Sequence, residues 1–314
     1  MIVSVCSLAG APGVTTLAAA LALCWPPSPL CVPVMVEADA SGGDLRLWHR
    51  RGGERGLGTL AAASRRPRPA QGAGDNPLLE HAEEVAGGLH VVTAPSAPHQ
   101  CTAAVEELAQ HPWLLRAGRA AVVDVGRISP RSAGARLLLC SDAVVVVVRE
   151  DPAQLARLAA SSAVVSALEE AGVPVGVALV EGARRFADRE VAEQTQAPVW
   201  ARLPQDPAGA AFVRGEGVRA GSGVWTRLRE WARERRGEAE VEGLALMRTV
   251  RDLAERVEAY GRRAPSGTGA RPAPSPIEAP APRYPQPTAT AVAPPPRTGS
   301  LAVTGAGAGA GRAA

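Results

Sequence analysis

The chain has 314 residues, 46% of them hydrophobic and only 3% aromatic, and carries a net charge of +3. Such a length and apolar content allow a sizeable core built from Val, Leu and Ala, the composition of a buried parallel sheet covered by small-residue helices. A balance this close to neutral supplies no electrostatic footprint that demands nucleic acid as a partner.

All 34 basic residues are arginine, so no lysine is available to contact a phosphate, either from this chain or from an identical neighbour. The five cysteines (Cys6, Cys24, Cys31, Cys101 and Cys140) show no CxxC or Cys/His ligand spacing and read as buried thiols. The first apolar segment lacks a basic region before it and ends in a glycine-rich turn. The helical run after that turn is too short to span a bilayer. A cytoplasmic protein without integral membrane association is expected.

In chain order, residues 2–8 read as a strand and 14–25 as a helix, stopped by Pro26 and Pro27. A second apolar run, Val32 to Glu37, breaks at Ala38-Asp39-Ala40-Ser41-Gly42-Gly43-Asp44. Residues 45–88 are less regular, with a short helix from Leu57 to Ala63 and a Pro/Gly/Arg loop from Arg65 to Asn76. Leu89 to Thr93 is a third strand, followed by a helix near 99–110. Ala120 to Val125 is a strand carrying Asp124 near its end, and Arg131 to Cys140 is a helix. Ala143 to Val148 contains five consecutive valines and is the clearest strand. Pro152 to Ala171 is helical, with Leu155, Leu158, Val165 and Leu168 at helical spacing. Strand 175–180, helix 188–195 and strand 199–203 follow.

This alternation predicts an α/β fold, a mostly parallel sheet with helices on both faces. Ligands of such sheets bind beyond the carboxyl ends of the strands, where Asp39, Asp124 and the loop at 9–16 all fall. Three segments are expected: an α/β domain over 1–224, a charged helical segment over 225–263, and a disordered Pro/Ala/Gly-rich tail over 264–314. In the second, Met247, Val250, Leu253 and Val257 form a stripe expected to dock on the body.

The loop Ser7-Leu8-Ala9-Gly10-Ala11-Pro12-Gly13-Val14-Thr15-Thr16 joins a buried strand to a helix N-terminus, where backbone N–H groups and the helix dipole favour an anion. Its order relative to Glu37-Ala38-Asp39 and Asp124-Val125-Gly126 resembles the ParA/MinD group of P-loop ATPases, with their deviant Walker A motif Lys-Gly-Gly-x-Gly-Lys-Thr-Thr. The resemblance covers roughly residues 1–220 and includes Leu203-Pro204-Gln205-Asp206, similar to the adenine-side loop of that group. The wording Gly-x-Pro-Gly-Val-Thr-Thr looks like a lysine-less, actinobacterial-type branch.

The resemblance implies ATP and Mg²⁺ as cofactors. Gly10 and Gly13 would admit the phosphates, Thr15 would hold Mg²⁺ and Thr16 would reach the α-phosphate. Asp124 would be the Walker B acid holding magnesium through water, and Asp39 would lie beside the attacking water, with Gly42, Gly43 and Asp44 in a switch segment. Pro204 and Asp206 would lie on the adenine side. Read singly, the glycines also suit a plain tight turn, Thr15 a helix start, and the aspartates helix caps.

Two departures bear on function. Ala9 stands where the signature lysine would reach across a dimer, and Val14 where a lysine would meet the β- and γ-phosphates. Each lost charge-assisted bond weakens nucleotide binding about tenfold to a hundredfold. Pro12 also removes one backbone donor, and Val180-Glu181-Gly182 replaces the adenine-contacting asparagine. Arg46, Arg127 and Arg131 are the nearest candidates by sequence to substitute, but they read first as solvated surface arginines. Weak or no ATP hydrolysis is expected.

Two functions follow. One is a ParA/MinD-like protein of spatial positioning, partitioning or secretion-pilus localisation. It would form a nucleotide-sandwich-type dimer with itself and bind polar, secretion or pilus components. The other is a nucleotide-independent pseudo-ATPase scaffold of a Tad-type pilus or secretion system. Nonspecific DNA ranks below both. Arg184, Arg185, Arg214, Arg219, Arg227 and Arg229 are interleaved with Asp188, Glu190, Glu193, Glu216 and Glu230, as on an ordinary surface. Residues 303–314, rich in Gly and Ala, do not resemble the basic amphipathic membrane helix of MinD, so membrane targeting in that manner is not expected.

Overall fold

The computed structural model describes residues 1–10, 13–27, 32–66, 76–116, 120–183, 185–216 and 243–263. The described residues belong to one compact unit spanning 1–279. The expected disordered tail over 264–314 and the start of the helical segment, 225–242, lie outside the described residues.

Eight strands form one sheet: β1 (Ile2–Ser7), β2 (Val34–Glu37), β3 (Glu83–Val85), β4 (Leu89–Val92), β5 (Ala121–Arg127), β6 (Ala143–Arg149), β7 (Val175–Val180) and β8 (Val199–Leu203). Their spatial order is β3-β4-β2-β5-β1-β6-β7-β8. Every pairing is parallel except β3 with β4. Strand β3 is absent from the sequence reading: its Glu83-Glu84-Val85 offers no apolar alternation, and an edge strand needs none to pair on one side.

Among the described residues the α-helices are α1 (Val14–Leu23), α2 (Leu45–Trp48), α3 (Leu57–Ala62), α4 (Pro77–His81), α5 (Pro98–Gln110), α6 (Ala133–Leu139), α7 (Pro152–Ala160), α8 (Ser162–Glu170), α9 (Asp188–Thr195), α10 (Pro207–Val213) and α11 (Ala245–Arg263). The single helix expected over 152–171 is two, because the chain leaves helical geometry at Ser161 (φ −103°, ψ 16°). Its apolar stripe survives the break, with Leu155, Leu158, Val165 and Leu168 all buried.

Alternation along β1 divides the core. Ile2 and Cys6 face a layer with α3, α5, α6, α7, α8 and α9. Val3 and Val5 face α1, α10 and α11 on the other side. Helix α11 lays Met247, Val250, Leu253 and Val257 fully into that second layer. Tyr260 stacks on Trp200 with ring centroids 4.9 Å apart, and Arg256 Nη1 donates to the Trp200 carbonyl at 2.7 Å. The docking face of α11 is therefore its apolar stripe, with Arg248, Asp252, Glu255 and Arg256 exposed on the other side and Glu258 buried. Cys6, Cys24, Cys101 and Cys140 are buried and in no disulfide among the described residues. Among the described residues, no helix is long and apolar enough to cross a membrane.

Candidate functional site

The central position of β1 decides where the site lies. Its carboxyl end runs into the glycine loop, flanked by β5 on one side and β6 on the other. The next strand out, β2, delivers Glu37 and then Asp39 to the same edge. Gly13 ends the loop as the N-cap of α1 in the left-handed region (φ 90°, ψ 34°), a conformation that favours glycine. No side chain caps α1 and its first turn carries no acid. Its leading N–H groups are thus left for an anion.

Asp124 is completely buried on β5. The ladder slips between Val5 and Cys6, so that Val5 pairs with Asp124 and Cys6 with Gly126. Such a bulge re-aims the neighbouring side chain. Asp124 Oδ1 accepts the Gly126 N–H at 2.9 Å, and the Thr15 hydroxyl comes to the carboxylate from the first turn of α1. Asp124 Oδ2 is buried with no hydrogen-bond partner among the described residues. Burial pushes the Asp124 carboxyl up to about 7; Thr15 and Gly126 pull it down, and Glu37 and Asp39 raise it further. Below it, burial and the Asp124 charge push the Cys6 thiol to about 12, which leaves it inert.

Asp39 Oδ1 accepts from both Ser41 N and Ser41 Oγ, at 2.8 and 2.6 Å. Its other oxygen lies against Gly126, where a Cβ would come within 2.0 Å of Oδ2. The Ala38 N–H donates to the Asp124 carbonyl at 2.7 Å, tying the two acidic strand ends together. Thr15, Asp39 and Asp124 are thus brought to one place.

Glu37 has a role the sequence reading did not assign. It is buried; its Oε1 accepts the N–H groups of Asp44 (2.7 Å) and Leu45 (3.0 Å), and Oε2 that of Ala94 (2.8 Å). Burial raises its carboxyl above the usual range although these three N–H groups act against it. The side chain therefore shapes the 38–45 loop that holds Asp39. An acid closing an otherwise apolar strand was the available signal.

Gly10 faces the first turn of α7: a Cβ there would lie 3.8 Å from Gln154 Nε2. Thr16 follows Thr15 in α1, and Val14 and Ala9, where the resemblance would put lysines, are both buried. Of the arginines nearest in sequence, Arg46 is committed elsewhere. Its Nη2 donates to the Arg55 carbonyl and to Thr93 Oγ1, which fixes it beneath the segment before α3. Arg127, the last residue of β5, and Arg131 beyond it are exposed.

Pro204 and Asp206 follow β8, the third strand from β1 and so about 14 Å across the sheet. Asp206 Oδ1 caps α10 through the Gly209 N–H at 2.9 Å, and Oδ2 accepts the Leu246 N–H of α11 at 3.1 Å. The Gly209 bond, with the other backbone N–H groups outweighing desolvation, holds its carboxyl below the ordinary range. Gln205 Nε2 donates to the Glu181 carbonyl at 2.8 Å, joining the ends of β8 and β7. Between β6 and β8, buried Glu150 pairs with Arg202 at 2.8 Å and accepts the N–H groups of Gly182 and Phe186.

Magnesium needs few protein ligands, taking oxygen from one or two side chains and the rest from phosphates and water. Asp124 with a free buried oxygen beside the Thr15 hydroxyl fits that demand. Among the described residues, no group of three or more His, Cys, Asp and Glu side chains is placed to hold a metal by itself. A nucleotide would find backbone donors at α1, but no lysine.

No protein-family model matches the sequence, and no curated protein does. The structure is similar to a ParA family ATPase from Chlorobium tepidum TLS, with a TM-score of 0.58 and 17% identity, over 81% of this chain and 98% of that one. It is also similar to the Pyrococcus furiosus cell division ATPase MinD (TM-score 0.55, 15% identity, 82% and 98% covered). A third likeness is to the septum site-determining protein MinD of Pyrococcus horikoshii OT3, complexed with Mg-ADP (TM-score 0.53, 16% identity, 82% and 96% covered). At such identities the likeness defines architecture. The chain has a ParA/MinD-like α/β fold.

Proposed function

We propose that this protein is a ParA/MinD-like positioning protein that binds a magnesium nucleotide weakly and hydrolyses it slowly or not at all. The observation that carries the reading is Asp124. A carboxylate buried completely, with one oxygen unpartnered and a threonine hydroxyl beside it, is costly unless a cation completes it. A core that no longer served a ligand would have no use for that charge.

In this reading Gly10, Gly13 and the first-turn N–H groups of α1, including those of Thr15 and Thr16, receive the phosphates. Thr15 and Asp124 hold Mg²⁺, Asp39 orients water from its Ser41-braced position, and Pro204 and Asp206 border the base. Bound magnesium would neutralise phosphate charge and polarise the phosphoryl group. The two lysines are missing, and a cation at the transferring group is worth on the order of 10³–10⁵ in rate, so hydrolysis is the function most reduced. Nucleotide occupancy would then act on conformation or on a sandwich-type dimer, with a polar, septal or secretion-pilus component as partner. The fold's likeness to a ParA family ATPase and a cell division ATPase supports this class.

Titration calorimetry with Mg²⁺-ATP, Mg²⁺-ADP and Mg²⁺-GTP tests it, repeated on Val14→Lys, which restores the phosphate cation. Binding in the high-micromolar to millimolar range is expected for the native chain, and tighter binding for the variant. No heat for any nucleotide at millimolar concentration overturns the reading. That result favours the second one, a nucleotide-independent pseudo-ATPase scaffold of a Tad-type pilus or secretion system. The burial of Val14 and Ala9, the two lysine positions, supports the scaffold. A nucleotide-dependent dimer in analytical ultracentrifugation counts against it.

A further inference from the structure

Helix α7 places one polar side chain beside the glycine loop that no motif marks. Gln154 lies in its first turn, two residues after Pro152, with Asp151 as the N-cap accepting the N–H groups of Ala153 and Gln154. Gln154 Oε1 accepts the Arg149 N–H at 3.0 Å. That bond fixes which end of the amide is which, because only the oxygen can receive an N–H. The nitrogen is therefore the end turned to the loop, 3.8 Å from where a Cβ on Gly10 would stand. Its two N–H groups have no partner among the described residues.

Resting on the nucleotide reading above, we infer that Gln154 is a phosphate-binding residue. Its side-chain amide donates from α7 to the phosphate oxygens of a nucleoside di- or triphosphate held by the glycine loop. Gln154 Nε2 stands beside Gly10, which opens the loop leading into the N-terminus of α1, a helix without a side-chain cap, so an oxyanion held at that loop would meet donors from two elements. In a chain without lysine, a neutral amide is a donor that needs no counter-charge when the site is empty. It supplies N–H groups to a charged acceptor, where a hydrogen bond is stronger than between neutral partners.

The substitutions that separate this from a purely structural role are Gln154→Ala, Gln154→Glu and Gln154→Lys. Glutamate keeps the oxygen that accepts the Arg149 N–H but turns a second carboxylate oxygen toward the phosphates. Calorimetric titration of each full-length variant with Mg²⁺-ATP and Mg²⁺-ADP reads the effect, and thermal melting without nucleotide checks folding. The expected result is binding about tenfold weaker in Gln154→Ala, weaker still in Gln154→Glu, and tighter than native in Gln154→Lys. Native binding that is unchanged in Gln154→Glu overturns this inference and leaves the nucleotide reading standing. Weakening in Gln154→Ala alone assigns the residue to the Arg149 backbone contact and also overturns it. Failure of the native chain to bind either nucleotide overturns the nucleotide reading and this inference with it.

Discussion

The Asp39 carboxylate occupies the space that any side chain on residue 126 would need: a Cβ on Gly126 would come within 2.0 Å of Asp39 Oδ2. Gly126 also sits at φ 64°, where an L-residue is strained, and its N–H is the donor to Asp124 Oδ1. One glycine therefore sets the positions of both strand-end acids.

Gly126→Ala is expected to destabilise the protein by about 1–2 kcal/mol through the backbone alone, and further by displacing Asp39. The double variant Gly126→Ala/Asp39→Ala should recover the second part, leaving a non-additive cycle. Urea denaturation of the four proteins measures it. Strict additivity would mean that the two residues do not share this space.

Asp124 predicts a particular pH dependence for the metal-free protein. Its carboxyl lies at about 7 in the fold against 3.8 for the ordinary group, so the folded state binds the proton more tightly than the unfolded state. Stability should therefore fall as pH rises through 4 to 7 and level off above, by up to roughly 4 kcal/mol. Asp124→Asn removes that slope, at a cost of about 1–3 kcal/mol for an amide left unpaired at Oδ2. Melting curves at pH 5 and pH 8 check it. The variant's stability relative to native should improve from the lower pH to the higher, and added Mg²⁺ should raise the native midpoint only.

The strand ends that carry Asp39 and Asp124 were legible because apolar runs stop there and the sheet is parallel, so both acids had to share an edge. Partnership was not legible. Spacing cannot show that Arg46 reaches the Arg55 carbonyl, nor that Asp206 spends both oxygens on α10 and α11. Gln154 had no signal, since a glutamine in a first helical turn is ordinary until the loop it faces is placed. The missed β3 and the break at Ser161 share a cause. Pairing at a sheet edge and a kink between two buried stretches are tertiary choices that local patterns do not encode.

The Glu150–Arg202 pair joins a buried carboxylate to a partly exposed guanidinium. Burial pushes the Glu150 carboxyl up, but the Arg202 guanidinium and the N–H groups of Phe186 and Gly182 hold it below its ordinary value. It contributes stability above the unfolded carboxylate pKa that is lost as pH falls through the lower folded value. Arg202→Met leaves that charge uncompensated and should cost about 3–5 kcal/mol at neutral pH. In the variant the balance reverses, so Glu150 takes up a proton on mild acidification and the deficit should shrink toward pH 4. Denaturation midpoints measured across pH 4–8 test the sign. The contact of Arg202 with largely exposed Asp188 should add little, and Asp188→Asn should change stability by under about 1 kcal/mol.

Glu37 offers the sharpest test of how the 38–45 loop is held. Its three bonds are all received from backbone N–H groups, two on Oε1 and one on Oε2. Glutamine, nearly the same size, can accept at only one of its two ends. Glu37→Gln must set an NH₂ against either Ala94 N–H or the N–H pair of Asp44 and Leu45, leaving buried donors opposed. The expected cost is about 1–3 kcal/mol, localised rather than global. Amide hydrogen exchange should quicken at Asp44 and Leu45 or at Ala94, while the buried strand Ala143–Arg149 stays protected. If the loop loosens, Asp39 loses its fixed approach to Gly126, and Mg²⁺-nucleotide binding should weaken although Glu37 has no place among the ligand-binding groups. Unchanged exchange at all three amides would show that the loop is held from elsewhere.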